Sequence, residues 1–166
     1  ELAKMGVSEL MKFKGIGEAK AISIVAAMEL ARRRKDTKQV KKGKVKFSRE
    51  AYDILKPFMM DLNHEQFWMI CLNRNLEVIK VIQISTVGVT GTVADPKMIF
   101  KLALEQLSCS IIISHNHPSG NLKPSEADKK LTKLLKDGAE ILDITFSDHI
   151  IFTDNGYFSF ADENLL

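Results

Sequence analysis

Apolar residues recur along the chain in two rhythms, and the change of rhythm divides it. Residues 7–34 read as two helices joined by a tight turn. Leu10, Met11 and Phe13 give apolar weight ahead of Gly15-Ile16-Gly17. The next stretch, Glu18 to Arg34, is rich in Ala, Ile, Val, Met and Leu, and only Ser23 and Glu29 interrupt its apolar middle. A helix apolar on so much of its circumference is expected to be covered on more than one side, in part by sequence outside this chain. Arg32-Arg33-Arg34 place positive charge at its C-terminal end, where the helix dipole favours it.

Beyond a Lys-rich run the pattern alternates between helical and strand periods. Ser48 is the expected N-cap of a helix running to about Asp61. Phe67–Leu72 and Val78–Ile84 read as strands joined by the turn Asn73-Arg74-Asn75. Thr86–Thr92, rich in Gly and Thr, is expected to be a loop. Asp95-Pro96 opens a helix carrying Ile99, Phe100, Leu102 and Ala103. Ile111-Ile112-Ile113 is a short buried strand, 114–124 a loop, and Ser125 to about Asp137 a helix. Two more strands, near 141–146 and 149–153, precede a turn at Asp154-Asn155-Gly156. The expected fold is α/β of the α+β type, a mixed sheet with flanking helices, preceded by a small all-α piece. The expected division is 1–36, a helical segment; 37–46, a basic linker; and 47–166, the main domain. Glu1 falls within helical-looking sequence, so the first segment is expected to begin before it. There is no internal repeat.

Charge sharpens that division. The net charge of +3 hides +8 in residues 1–46, from 13 Lys/Arg against 5 Asp/Glu, and −5 in the remainder. Two units with different partners are implied. With 45% hydrophobic and 27% charged residues the chain has a globular profile. No apolar run is long enough to span a bilayer and no secretory leader is read ahead of the first element, so no membrane association and a cytoplasmic location are expected. Cys71 and Cys109 form no CxxC pair and read as free buried thiols. The pattern specifies no oligomeric state.

The informative segment runs from Ser114 to Asp128, SHNHPSGNLKPSEAD. Two histidines two apart at a strand end can project the same way and reach one metal. Asp128 offers a carboxylate once the Pro/Gly loop turns the chain back. Two imidazoles and a carboxylate leave a fourth tetrahedral position open, as in a catalytic zinc site. Ser125-x-x-Asp128 is equally a helix-capping pattern, with Asp in place of the usual Glu. His149, in Asp148-His149-Ile150-Ile151, reads as a histidine packed at a strand edge, with contact to a metal ligand as the alternative. His64 is expected to point to the opposite strand face and has no assigned role.

His115-x-His117-Pro118, seven residues between His117 and Ser125 counting that proline, and then Ser125-x-x-Asp128 closely resemble the JAMM (MPN+) metalloprotease signature. The form HNHPSG…PSEAD resembles the RadC family, as do TVADPKMIFKLAL upstream and DHIIFTDNGYFSF downstream. The resemblance covers nearly the whole chain. It implies an MPN/JAMM fold with cytidine-deaminase-like layering, and His115, His117 and Asp128 as zinc ligands. It also implies that Ser125 bonds a developing oxyanion or the attacking water. Glu65, in E-x-F, becomes the catalytic acid/base; Glu50 and Glu77 are the competitors. Segment 1–36 then resembles a helix-hairpin-helix module. Gly15 and Gly17 would let backbone approach a phosphate, and Lys20 or Lys14 would add charge. A tight αα turn or a protein-docking segment is the alternative.

These readings imply a zinc-dependent hydrolase acting on a peptide or protein substrate. A DNA-repair or recombination accessory protein, binding DNA through segment 1–36, is the alternative. A zinc deaminase would need H-x-E and P-C-x-x-C, and neither is present.

Overall fold

Mostly buried strands build a mixed five-stranded sheet. The computed structural model describes residues 5–36, 43–86 and 94–166, with the side chains of 29–36 and 86 excepted. Residues 37–42 of the expected linker, the loop residues 87–92 and the side chains of Arg32-Arg33-Arg34 lie outside the described part. The chain divides into two compact units, Glu1–Lys41 and Lys42–Leu166.

In the first unit, α1 is a single turn, Val7–Leu10, and α2 runs from Glu18 to Asp36. The first helix is thus shorter than its apolar pattern predicts. Residues 11–15 form turns instead, and Gly15 takes the left-handed conformation with φ +87°. Among the described side chains of α2, Ala21 alone is fully buried, while Ile22 is exposed. The expected cover on several sides is not supplied by the described residues.

The second unit begins with α3, Ser48–Met59. Its N-cap is Phe47, one residue earlier than expected, and Ser48 Oγ bonds Tyr157 and Asp162 instead. The Glu50 carboxylate accepts from the Lys46 and Phe47 amides, which quiets the open helix end. The strands β1, Gln66–Leu72, and β2, Val78–Thr86, form an antiparallel hairpin. Asn73 builds its turn by accepting from the amides of Asn75 and Glu77. Helix α4, Pro96–Glu105, starts where Asp95 Oδ1 accepts from the Lys97 amide, a cap worth about 1 kcal/mol.

Strand β3 spans Ser110–Asn116, longer than the apolar triplet alone, so His115 and Asn116 belong to the strand and not to the loop. Helix α5, Glu126–Ile141, extends a turn beyond the expected end. The two strands expected at 141–146 and 149–153 are one, β4, Thr145–Thr153. A short β5, Gly156–Ser159, follows the expected turn and was not anticipated. The spatial order is β2-β1-β3-β4-β5, antiparallel except for the β3–β4 pair.

Alternation assigns the faces. Phe67, Met69, Cys71, Ile111 and Ile113 pack with Ile99, Leu131 and Leu135 of α4 and α5. Ile70, Leu72, Ile112, Ile150 and Phe152 pack with Tyr52, Leu55 and Met59 of α3. Gly138 permits close contact of α5 with α4: a Cβ there would lie 2.7 Å from Phe100 Cε2. Cys71 is buried, but Cys109, just ahead of β3, is exposed, against expectation. Among the described residues no helix is long and apolar enough to cross a membrane.

Candidate metal centre

His115 lies near the end of β3 with the parity of Ile111 and Ile113, so it faces α5. The register sets it opposite Phe67 in β1 and Ile151 in β4. The Phe67 ring stacks on its imidazole with centroids 5.0 Å apart. Two residues later His117 leaves the strand, anchored by its amide on the Phe152 carbonyl at 2.9 Å. The loop then turns on Gly120, φ +75°, and returns the chain to α5. Ser125 caps that helix: its hydroxyl oxygen accepts from the Asp128 amide and its amide donates to Asp128 Oδ2. The Ser125 hydroxyl proton goes to the same Oδ2 at 2.6 Å. Capping and ligand placement are therefore one device.

The three side chains converge. His115 Nε2 lies 3.0 Å from His117 Nε2 and 3.4 Å from Asp128 Oδ1. His117 Nε2 lies 4.0 Å from Asp128 Oδ2. One ligand atom from each residue falls within 4.8 Å of the others, a group able to hold a metal ion. The protons support this use. His117 Nδ1 sits 2.5 Å from the Asn121 carbonyl, which only accepts, so Nδ1 donates, and the neutral ring in that tautomer has its lone pair at Nε2. His115 Nδ1 faces His149 Nε2 at 2.9 Å. Burial pushes the His115 imidazole down to about 4, against the opposing pull of Asp128, so it is neutral near pH 7. Lone pairs and a carboxylate facing one another suit a cation and not each other.

His149 is fully buried, and burial holds its pKa well below the ordinary histidine value. β4 lies between β3 and β5, so His149 is not at a strand edge. It contacts His115 directly and stacks on Phe160, with centroids 4.8 Å apart. Of the two readings weighed for it, the structure has the contact with the candidate ligand His115 and not the strand edge.

Glu65 is exposed and precedes β1 by one residue, two positions before Phe67. The residues flanking it are pinned by Asn116, buried between the two histidines of the motif. Asn116 Oδ1 accepts from the Gln66 amide at 2.7 Å, and its Nδ2 donates to the His64 carbonyl at 3.1 Å. His64 thus contributes a backbone carbonyl. Sequence reading missed Asn116, Asn121 and Thr132. The first two lie inside the recognised motif, Asn116 between the two aligned histidines and Asn121 in the Pro/Gly loop, while Thr132 lies beyond it. Beside His117, a cavity of about 190 Å³ opens between the loop and the ends of α3 and β4. In the first unit, Gly15 and Gly17 have nothing within 4 Å of an added Cβ, and Lys20 Nζ donates to the Gly15 carbonyl at 3.2 Å.

Residues 45–165 match the family described as "RadC-like JAB domain". The chain belongs to the RadC family. Relatives named "UPF0758 protein" agree with the assignment. That of Flavobacterium johnsoniae is 49% identical over 164 residues, covering 99% of this chain and 72% of the relative. That of Porphyromonas gingivalis is 42% identical, covering 99% and 74%. A Methanosarcina mazei relative is 36% identical, covering 100% and 72%. The RadC match spans all of β1 to β5 and hence every residue of the cation site.

Proposed function

We propose that this chain is a zinc-dependent hydrolase of the JAMM type, acting on a peptide or isopeptide carbonyl. The observation that carries the reading is the convergence of His115 Nε2, His117 Nε2 and the Asp128 carboxylate on one point. Two imidazoles and a carboxylate fit zinc and leave it an open position. Zinc, when bound, polarises the carbonyl and makes water a nucleophile near neutral pH. The chain supplies the proton traffic. The Glu65 carboxylate takes a proton from water as the water oxygen bonds to the carbonyl carbon. It returns that proton to the amide nitrogen as the carbon–nitrogen bond breaks, leaving a carboxylic acid and an amine; water's second proton then passes from the acid to the amine, giving carboxylate and ammonium. Ser125 is assigned to the oxyanion, a role that requires its hydroxyl to exchange Asp128 Oδ2 for the substrate oxygen. The cavity beside His117 offers room for one flank of the substrate. Two free thiols accord with a cytoplasmic setting.

The test is incubation of the zinc-loaded chain with proteome-derived peptides and lysine-linked isopeptides, reading new termini by mass spectrometry. Cleavage by the wild type and none by Glu65→Gln is expected. No cleavage of any member at full zinc occupancy would sink the proposal.

A second reading concerns the first unit. The left-handed Gly15 and open Gly17 precede α2, in a segment of strong positive charge, and this favours docking on nucleic-acid phosphates. Titration of labelled duplex DNA should give an affinity that falls steeply with salt. Absence of binding at low salt counts against it.

A further inference from the structure

His115 and Asp128 come from different elements, yet one buried hydrogen-bond chain sets both. It starts at a group with no freedom. The Asp128 main-chain carbonyl can only accept, and Thr132 Oγ1 lies 2.7 Å from it. With its single proton on that carbonyl, the Thr132 hydroxyl has none left to donate elsewhere. Thr132 Oγ1 also lies 2.6 Å from His149 Nδ1, so there the hydroxyl oxygen must accept and Nδ1 must donate. A neutral imidazole protonated at Nδ1 offers a lone pair at Nε2. His149 Nε2 is 2.9 Å from His115 Nδ1, so His115 donates. A neutral His115 protonated at Nδ1 turns its lone pair at Nε2 toward His117 and Asp128. Each bond polarity follows from the one before it, and the first is set by the Thr132 hydroxyl donating to the Asp128 carbonyl.

We propose that His149 is a positioning residue for the cation site: it fixes the tautomer and ring plane of His115 and, through Thr132, ties them to the backbone of Asp128. The assignment rests on the reading of a cation site, but not on the reaction performed there. His149 and Thr132 have no exposed surface of consequence, at 0% and 1% relative exposure. No substrate need touch them. Outer partners of metal-binding histidines are more often carboxylates, carbonyls or waters. Here the acceptor is a second imidazole, held in place by Phe160 stacked on it with an interplanar angle of 10°.

The experiment measures Co²⁺ affinity and the visible spectrum of the Co²⁺ form for the full chain and four variants. His149→Phe keeps an aromatic ring against Phe160 and removes the acceptor; it should weaken binding 10- to 100-fold. His149→Gln places an amide oxygen near the former Nε2 and should recover part of that loss. Thr132→Val should weaken binding by less than His149→Phe. Imidazole ¹⁵N–¹H correlations of the metal-free wild type should show both His149 and His115 protonated at Nδ1. The control is His115→Ala. Should it bind Co²⁺ as tightly as wild type, the cation-site reading itself fails. Should it lose binding while His149→Phe and Thr132→Val keep wild-type affinity and spectrum, the site stands and the positioning role of His149 is overturned. Thermal melts without metal show whether His149→Phe folds; if it does not, His149→Gln, Thr132→Val and the wild-type tautomers decide. His115 protonated at Nε2 in the wild type would overturn the proposal directly.

Discussion

The two sides of the cation site are built differently. On the inner side, His115 is clamped by the Phe67 ring and by His149, and Asp128 is held by Ser125 and by its own helix backbone. The relevant polar atoms there have partners, and none of them needs solvent. On the outer side, His117 hangs from a loop whose shape depends on one left-handed glycine and an Asn121 carbonyl. Glu65 is exposed, and Asn116 grips the backbone on either side of it without touching its side chain. On the proposed function, the inner side holds a cation with little rearrangement, while the outer side leaves Glu65 free to move protons and leaves room for a substrate. Affinity and turnover should therefore separate by side.

The largest expected effect is on the inner side. Asp128→Asn removes a ligand charge and disturbs the Ser125 cap, and zinc affinity should fall by more than the roughly 100-fold typical of losing an outer partner. Competition against a chromophoric chelator measures this; retained affinity breaks the comparison at once. Next is the outer side. Glu65→Gln should lower turnover on any cleaved peptide by about 10²- to 10⁴-fold, while zinc affinity changes little. A matching loss of zinc would move Glu65 to the inner group.

A pH test probes the dryness behind the inner wall. Asp148 is buried and accepts from the His149 and Ala161 amides and the Ser159 hydroxyl. Burial nonetheless pushes its carboxyl up to about 6, against the lowering effect of those donors. A raised carboxyl keeps its proton longer in the folded state. Its stabilising contribution is complete below the unfolded value near 3.8 and is lost as pH rises through about 6. Wild-type stability relative to Asp148→Asn should thus fall by up to about 3 kcal/mol from about pH 4 to pH 6. His115, depressed to about 4, gives the opposite slope, but gives it to both chains, so the difference isolates Asp148. Urea unfolding across that range is the measurement; a difference independent of pH would mean that Asp148 is ionised throughout.

The smallest effect is expected from Asn116→Ala. It removes two hydrogen bonds and leaves the Gln66 amide and His64 carbonyl without their partner, at about 1–3 kcal/mol. Turnover should drop through a looser Glu65 with zinc affinity unchanged. A loss of zinc affinity equal to that of Asp128→Asn would erase the distinction between the sides.

The three candidate ligands, inner and outer, were legible because they lie close in sequence. His115, His117 and Asp128 belong to one strand–loop–helix unit, so spacing alone carries their geometry. His149 and Thr132 were not legible in the same way. His149 reaches His115 only through the parallel pairing of β3 with β4, a long-range register that no local pattern encodes. β4 itself was read as two strands because Ser147, Asp148 and His149 interrupt its apolar run. Those groups find partners inside the protein, in Ser110, Ser159 and Thr132, so the strand continues through them. The single-turn α1 and the mostly exposed described side chains of α2 show the reverse failure, where apolar content did not translate into burial within the described residues.

The most direct test of the central claim is zinc uptake by the metal-free chain, followed by X-ray absorption at the zinc edge. One equivalent bound with a shell of nitrogen and oxygen and no sulfur is the predicted result, since His115, His117 and Asp128 are the proposed ligands and neither Cys71 nor Cys109 belongs to that group. A shell containing sulfur, or no saturable uptake at all, would contradict the account.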